Sequence, residues 1–109
     1  MIVDVHTHIY PKMYIPRLDE LSSCHEFDIK YGESGLPTIY WNGIDYGPIM
    51  EPAFDPGDRI QQMDKAGMDM QILTNGFPNG ELLNPEDGIA LCRDLNHEMA
   101  EVCAKNSDL

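Results

Sequence analysis

The sequence predicts an α/β fold in which parallel strands alternate with helices. Three stretches predict it: residues 2–9 form a β-branched apolar run, residues 55–74 combine a helix, a glycine and a second strand, and residues 84–105 carry a helical apolar stripe. With 109 residues, 42% of them hydrophobic, the chain has the length and composition of one small globular domain. We therefore expect a single core built from βα units.

The first strand, predicted over residues 1–9, ends in two histidines separated by one residue. Because successive side chains of a strand point to opposite faces, Asp4, His6 and His8 are expected to share one face. Neutral imidazole is the commonest protein ligand for zinc, and this spacing lets both rings reach one ion. His6 and His8 are therefore predicted as half of a metal site. The alternative is a structural pair, since four histidines also produce such a spacing by chance.

Residues 10–54 are predicted as a long insertion after this strand. Five prolines between positions 11 and 52 exclude an extended helix, and one or two helical turns are expected over residues 17–21. Asn42 and Gly43 lie between two aromatic and β-branched arms, which predicts a hairpin with a type I′ turn. The aromatic residues favour a packed segment over a disordered one. The sequence leaves two interpretations open, a lid over the mouth of the site and a surface decoration.

The next helix is predicted over residues 55–67 and the second strand over residues 68–74. Asp55 is the expected N-cap, and Gly67 supplies the C-terminal stop. The strand is richest in apolar residues toward its C-terminal end, which is typical of a strand buried between helices in a parallel sheet. The predicted apolar face of the helix comprises Ile60, Met63 and Ala66.

The last helix is predicted over residues 84–105, with Asn84 and Pro85 repeating the cap pattern of the previous helix. His97 lies off the apolar stripe, so it is interpreted as a solvent-facing residue, and the role of His25 in the insertion is left undecided. The predicted stripe comprises Ile89, Cys92, Leu95, Met99, Val102 and Cys103.

The formal net charge of −12 disfavours nucleic acid and anionic membrane surfaces as partners, because both require basic patches that seven scattered Lys and Arg residues do not form. The first residues lack the basic segment of a signal peptide, and no apolar run is long enough to span a bilayer. Cys24, Cys92 and Cys103 are odd in number and form no C-x-x-C pair, so reduced thiols are expected. These features predict a soluble, cytoplasmic protein.

Several blocks of the sequence together resemble the amidohydrolase-related metal enzymes, in particular the branch of the aminocarboxymuconate-semialdehyde decarboxylases. The likeness covers nearly the whole chain in register, and the combination is far more specific than the paired histidines alone. The similar blocks are VDVHTHIYPK at 3–12, DP at 55–56, RIQQMDKAG at 59–67, QIL at 71–73, PED at 85–87, LC at 91–92 and LN at 95–96.

The resemblance implies a (β/α)8 TIM barrel with its active site at the C-terminal ends of the strands and one divalent metal ion, usually zinc. By that analogy His6 and His8 are two metal ligands, whereas the family's other ligands and its catalytic histidine lie on later strands. The chain would be the N-terminal part of such a barrel, the first two βα units with a long insertion after strand 1. The implied reaction is non-oxidative decarboxylation, or hydrolysis, of a small unsaturated or aromatic carboxylic acid.

The resemblance also implies positions for substrate contacts. In the decarboxylase branch an arginine of the insertion pairs with a substrate carboxylate, and the matching residue here is Gly47, which cannot form that ion pair. Tyr46 occupies the neighbouring aromatic position and Asn75 the end of the second strand, so both are predicted to contact the substrate. The alternative for each is packing of the insertion, and Gly47 leaves the particular acid open.

A second hypothesis, from a different functional class, is a non-catalytic truncated product or interaction fragment in which His6 and His8 are vestigial ligands. Two strands and two helices leave sheet edges open. The isolated chain is therefore expected to be partly molten or to self-associate, and a homo-oligomer is compatible with this expectation.

Overall fold

The computed structural model of the protein describes residues 1–22 and 26–109. Cys24 and His25, for which the sequence predicted a reduced thiol and no definite role, lie outside the described residues. The elements in chain order are β1 (Val3–Ile9), α1 (Tyr14–Ser22), β2 (Phe27–Tyr31), β3 (Pro37–Trp41), β4 (Ile44–Pro48), a 3₁₀ turn (Glu51–Ala53), α2 (Pro56–Ala66), β5 (Met70–Asn75), a second 3₁₀ turn (Gly80–Leu82) and α3 (Pro85–Lys105).

Strands β1 and β5 form a parallel pair connected through α2. Their register shifts between Asp4, which lies beside Gln71, and Thr7, which lies beside Leu73. Three residues of β1 thus match two of β5, and the alternation of faces is interrupted. The expectation that Asp4 shares a face with the histidines is therefore wrong: its Oδ2 accepts a hydrogen bond from Gln71 Nε2 at 3.3 Å, on the face of Thr7.

The described part of the insertion contains regular secondary structure. Its β2, β3 and β4 form an antiparallel sheet in chain order. The predicted hairpin turn is confirmed, since Asn42 and Gly43 both have positive φ, 50° and 78°, as a type I′ turn requires. Strand β2 was not predicted from the sequence, and the helical turns expected over residues 17–21 belong to the nine-residue α1.

Both ends of α2 follow the predicted pattern. The Asp55 side chain accepts hydrogen bonds from the backbone amides of Gly57 and Asp58, and Gly67 adopts the left-handed conformation at the C-terminus. The buried residues of α2 are Arg59 and Met63, whereas Ala66 is exposed and Ile60 half-buried, so the predicted apolar face is only partly correct. Arg59 takes the buried position because its guanidinium donates hydrogen bonds to polar atoms of the strand pair.

Helix α3 begins at the predicted cap, where Asn84 Oδ1 accepts a hydrogen bond from the Asp87 amide at 3.0 Å. Its predicted stripe is rotated: Gly88, Leu91 and Leu95 are buried, while Ile89 is 61% exposed. The backbone of Gly80 packs directly on Gly88, where a Cβ would collide with the Gly80 carbonyl, and this approach fixes the rotation of the helix. Cys92, which was predicted to lie on the apolar stripe, is also exposed. His97 is solvent-facing as predicted.

The main hydrophobic core lies between the insertion and α3. It is composed of Tyr10, Tyr14, Ile15, Leu18, Phe27, Ile29, Ile39, Ile49, Leu83, Leu91 and Leu95. The strand pair contributes little to it, since Val5 is 68% and Ile72 is 51% exposed. The second strand was expected to be buried on both faces, and in this chain it is covered on one face only. Cys92 and Cys103 are free thiols, and in the described part of the chain no helix is long and apolar enough to cross a membrane.

Candidate active site

The two predicted metal-binding histidines lie together at the C-terminal end of β1. Both side chains are exposed, and their rings are 5.0 Å apart between centroids in an edge-to-face arrangement. Two nitrogens bound to the same zinc ion lie at most about 4.2 Å apart, because each Zn–N bond is about 2.1 Å. Rings at this separation can bring one nitrogen each within that distance, so the pair fits two ligands of a divalent ion.

The described residues supply no third ligand beside this pair, since no group of three or more His, Cys, Asp or Glu side chains in residues 1–22 and 26–109 could hold a metal ion. Catalytic zinc sites usually have three protein ligands. The donor set therefore fits part of a metal site.

Arg59 anchors the strand that carries the histidines. Arg59 is 7% exposed, and its guanidinium donates to Thr7 Oγ1 and to Gln71 Oε1, both at 2.9 Å, and to the His8 carbonyl. Burial lowers the pKa of Arg59, and the nearby Asp4 carboxylate partly offsets that effect. Since one rigid planar group contacts β1 and β5 together, it fixes the backbone from which the His8 ring projects.

His8 borders a cleft of about 400 Å³ between the end of β1 and the insertion. The insertion forms one wall with Ile39 of β3, with Tyr46, Gly47 and Pro48 of β4, and with the following residues Ile49, Met50 and Ala53, and Tyr10 and Phe77 complete the lining. The lining includes no Lys or Arg side chain. The cleft thus combines an imidazole with mainly apolar walls, a composition typical of small-molecule sites.

Aromatic side chains shape one end of this cleft. Tyr46 and Phe77 are stacked at 4.6 Å between ring centroids with an interplanar angle of 22°, and Trp41 packs against Phe77 at 5.6 Å. The Tyr10 hydroxyl donates to the Phe77 carbonyl at 2.7 Å and ties the loop after β5 to the end of β1. Burial raises the pKa of Tyr10 to about 12, so this hydroxyl stays protonated at neutral pH.

The structure brings His8, Tyr46 and Gly47 to the same cleft, whereas Asn75 does not line it. The Asn75 amide instead donates to the carbonyls of Gly76 at 3.0 Å and Pro78 at 3.4 Å. Gly47 has a φ of +82°, so the position matched to the arginine of the decarboxylase branch also has a backbone conformation that favours glycine.

Three residues that contact His8 were not predicted from the sequence: Arg59, Thr74 and Gly76. A Cβ at Gly76 would collide with the Tyr10 hydroxyl and lie 3.2 Å from His8 Cγ, so only glycine fits beside the histidine ring. For Arg59 a signal existed, because it lies four residues before Met63 and therefore on the same helical face. For Thr74 and Gly76 the sequence gave no signal, since their roles depend on the pairing of β1 with β5.

Comparison with known proteins finds a similar sequence in a decarboxylase and a similar fold in a solved structure. The sequence matches no family model. It is 30% identical over 115 aligned positions, 95% of this chain, to the 2-amino-3-carboxymuconate-6-semialdehyde decarboxylase of Dictyostelium discoideum. The fold resembles the crystal structure of Metarhizium anisopliae IDCase in apo form, with a TM-score of 0.79, 19% identity and 97% of this chain covered. The predicted resemblance to the amidohydrolase-related decarboxylases is therefore confirmed.

The chain spans 29% of the Dictyostelium decarboxylase and 32% of the IDCase chain. The likeness to IDCase establishes a shared α/β fold over this part of that structure.

Proposed function

We propose that this chain, which resembles the amidohydrolase-related decarboxylases over nearly its whole length, is the N-terminal portion of a metal-dependent enzyme that decarboxylates, or hydrolyses, a small unsaturated or aromatic carboxylic acid. One observation carries the proposal: two imidazoles project from the end of a parallel strand, and one of them opens onto an apolar, aromatic cleft. The same arrangement supports a (β/α)8 barrel whose first two βα units are β1 with α2 and β5 with α3.

In this proposal His6 and His8 hold a divalent ion, with zinc as the first candidate. When bound, the ion supplies Lewis-acid polarisation and orients a substrate carboxylate. The chain's own residues then define the rest of the substrate position. The insertion acts as the lid, because its β4 forms one wall of the cleft beside His8 and its Tyr46 stacks on Phe77 of the loop after β5.

The cleft lining also bears on the substrate class. A second substrate carboxylate would need a cation in the cleft, and the described lining offers none. We therefore expect a monocarboxylic acid whose planar apolar part lies against Tyr46. Asn75 remains a predicted substrate contact. To reach the substrate, its side-chain amide would have to turn away from the Gly76 and Pro78 carbonyls and toward the cleft.

Calorimetric zinc titration tests the metal site on the chain itself. We expect weak binding compared with closed structural zinc sites, because only two protein ligands are in reach. Replacing both histidines, His6→Ala with His8→Ala, should remove most of the binding heat. The matched control is His97→Ala, an exposed histidine on α3, which should leave binding unchanged. Equal binding by the double variant and the unmodified chain would exclude these histidines as ligands.

A fusion of the chain to the remaining segment of the Dictyostelium decarboxylase tests the reaction and the substrate class. We expect metal-dependent turnover that His6→Ala or His8→Ala lowers steeply. Gly47→Arg should improve use of a dicarboxylic acid by the energy of a charged hydrogen bond, about 1.5–3 kcal/mol. Gly47→Ala is its control, because it introduces the same backbone strain without the charge.

Metal-independent turnover by the fusion would contradict the metal-dependent reaction. An inactive fusion that binds zinc only weakly would instead favour the non-catalytic alternative.

A further inference from the structure

The ring of His8 is connected to the backbone of its own strand through the hydroxyl of Thr74. The Thr74 Oγ1 atom lies 2.8 Å from the Thr7 carbonyl oxygen and 3.2 Å from His8 Nδ1. Thr74 is directly beside His8 in the register of β1 and β5, so both residues are held on paired strands. Neither contact belongs to the regular backbone ladder of the strand pair.

Counting protons determines the direction of both hydrogen bonds. A hydroxyl has one proton, and a carbonyl oxygen can only accept. The 2.8 Å distance to Thr7 is typical of an O–H···O hydrogen bond, so the Thr74 proton is directed to that carbonyl. The hydroxyl oxygen must then accept from His8, which requires the proton of the neutral ring to be on Nδ1 and leaves the lone pair on Nε2.

We infer that Thr74 is a positioning residue that sets the Nδ1–H tautomer of His8 and so presents Nε2 as its metal-binding nitrogen. The inference rests on the proposed function only for the identity of what Nε2 binds; the tautomer itself follows from the two hydrogen bonds. Arg59 supports the arrangement from the other side of β1, because it donates to Thr7 Oγ1 and to the His8 carbonyl.

His6 provides an internal reference. Within the described residues its ring contacts the His8 ring, and its backbone amide donates to Asp4 Oδ1 at 3.1 Å. No comparable acceptor in the described part of the chain fixes the proton on the His6 ring. The two proposed ligands should therefore differ, with one tautomer fixed at His8 and the ordinary solution mixture at His6.

Nitrogen-15 NMR of the imidazoles measures this difference without metal. In alkaline solution, where imidazole rings are neutral, we expect His8 to report the Nδ1–H form and His6 to report the solution mixture. Thr74→Val, which keeps the shape and removes the hydroxyl, should return His8 to the mixture, and Thr74→Ser should preserve the Nδ1–H form. An unchanged His8 tautomer in Thr74→Val, or an Nε2–H form in the unmodified chain, would overturn the inference.

Zinc affinity gives the second readout. Loss of a partner that orients a metal-binding histidine typically costs 10- to 100-fold in affinity, so Thr74→Val should weaken zinc binding by about tenfold or more, with Thr74→Ser close to the unmodified chain. Thr38→Val on β3 is the matched control and should bind zinc normally.

The two readouts separate the inference from the proposed function. If Thr74→Val changes the tautomer and leaves zinc affinity unchanged, the role toward the metal is excluded. If zinc binding is independent of both histidines, the proposed function fails while the NMR comparison still decides the tautomer. If Thr74→Val does not fold, the unmodified chain and Thr74→Ser decide it, because both must show the Nδ1–H form.

Discussion

The insertion and the parallel strand pair differ in how they bury their apolar residues. The insertion, joined by α3, places residues such as Tyr14, Leu18 and Leu91 at exposures of 1% or less. The strand pair leaves Val5 and Ile72 mostly open, although it carries both candidate metal ligands. Ile72 shares the face of Thr74 by strand alternation, and therefore the face of His8.

The insertion, which resembles a loop in the sequence, therefore supplies most of the residues of the main hydrophobic core. Strand β1, which carries the two candidate ligands, is tied to β5 by the buried guanidinium of Arg59, and the described residues leave one face of the strand pair uncovered. Stability and site chemistry are thus located in different parts of the molecule, and variants should be able to change one without the other.

The largest expected effect separates the two regions directly. Leu91→Ala removes a fully buried side chain from the core and should lower the free energy of unfolding by about 2–5 kcal/mol. Ile72→Ala removes a comparable aliphatic side chain from the open face of β5 and should change it by no more than about 0.5 kcal/mol. Urea denaturation compares the two variants. Equal losses would mean that the strand pair is as well covered as the insertion.

A smaller effect is expected at the contact that holds the strand pair together. Arg59→Met should lower the free energy of unfolding by about 1.5–3 kcal/mol, the typical contribution of hydrogen bonds to a charged group. Arg59→Lys should not restore it, because an ammonium cannot reproduce the planar contacts to both strands. Arg93→Met, at an exposed arginine of α3, is the control and should be nearly neutral. A neutral Arg59→Met would show that the strands pair without the guanidinium.

The third effect is confined to alkaline pH and arises at the junction of the two regions. Burial raises the pKa of Tyr10 and of Tyr14 from 10 to about 12, so the folded state retains protons that the unfolded state releases above pH 10. Stability should therefore be complete below pH 10 and decrease as the pH rises toward 12.

Tyr14→Phe should flatten this decrease, as measured by urea denaturation at a series of pH values. Tyr31→Phe, at an exposed tyrosine of β2, should leave it unchanged. A decrease of equal slope in Tyr14→Phe and the unmodified chain would refute the contribution of Tyr14.

Local signals in the sequence were sufficient for much of the fold. The caps at Asp55, Gly67 and Asn84 and the turn at Asn42 depend on neighbouring residues only, and the structure has them where they were predicted. The face of Asp4 was mispredicted because a register shift depends on the partner strand.

The rotation of α3 was mispredicted for a related reason. It depends on the close approach of Gly80 and Gly88, which apolar periodicity does not encode. For the candidate site, too, the sequence predicted the local pattern but not the contacts between strands. The spacing of His6 and His8 is a local pattern, whereas the contacts of Arg59 and Thr74 arise only when β1 and β5 pair.

Hydrogen exchange of the backbone amides, followed by NMR with and without zinc, tests the central claim most directly. The separation of core and site predicts the slowest exchange in β2, β3, α1 and α3 and faster exchange in β1 and β5. Added zinc should slow exchange at the end of β1 around His6 and His8 and leave the insertion sheet unchanged. Slowest exchange in β1 and β5, with no response to zinc at the end of β1, would contradict the account.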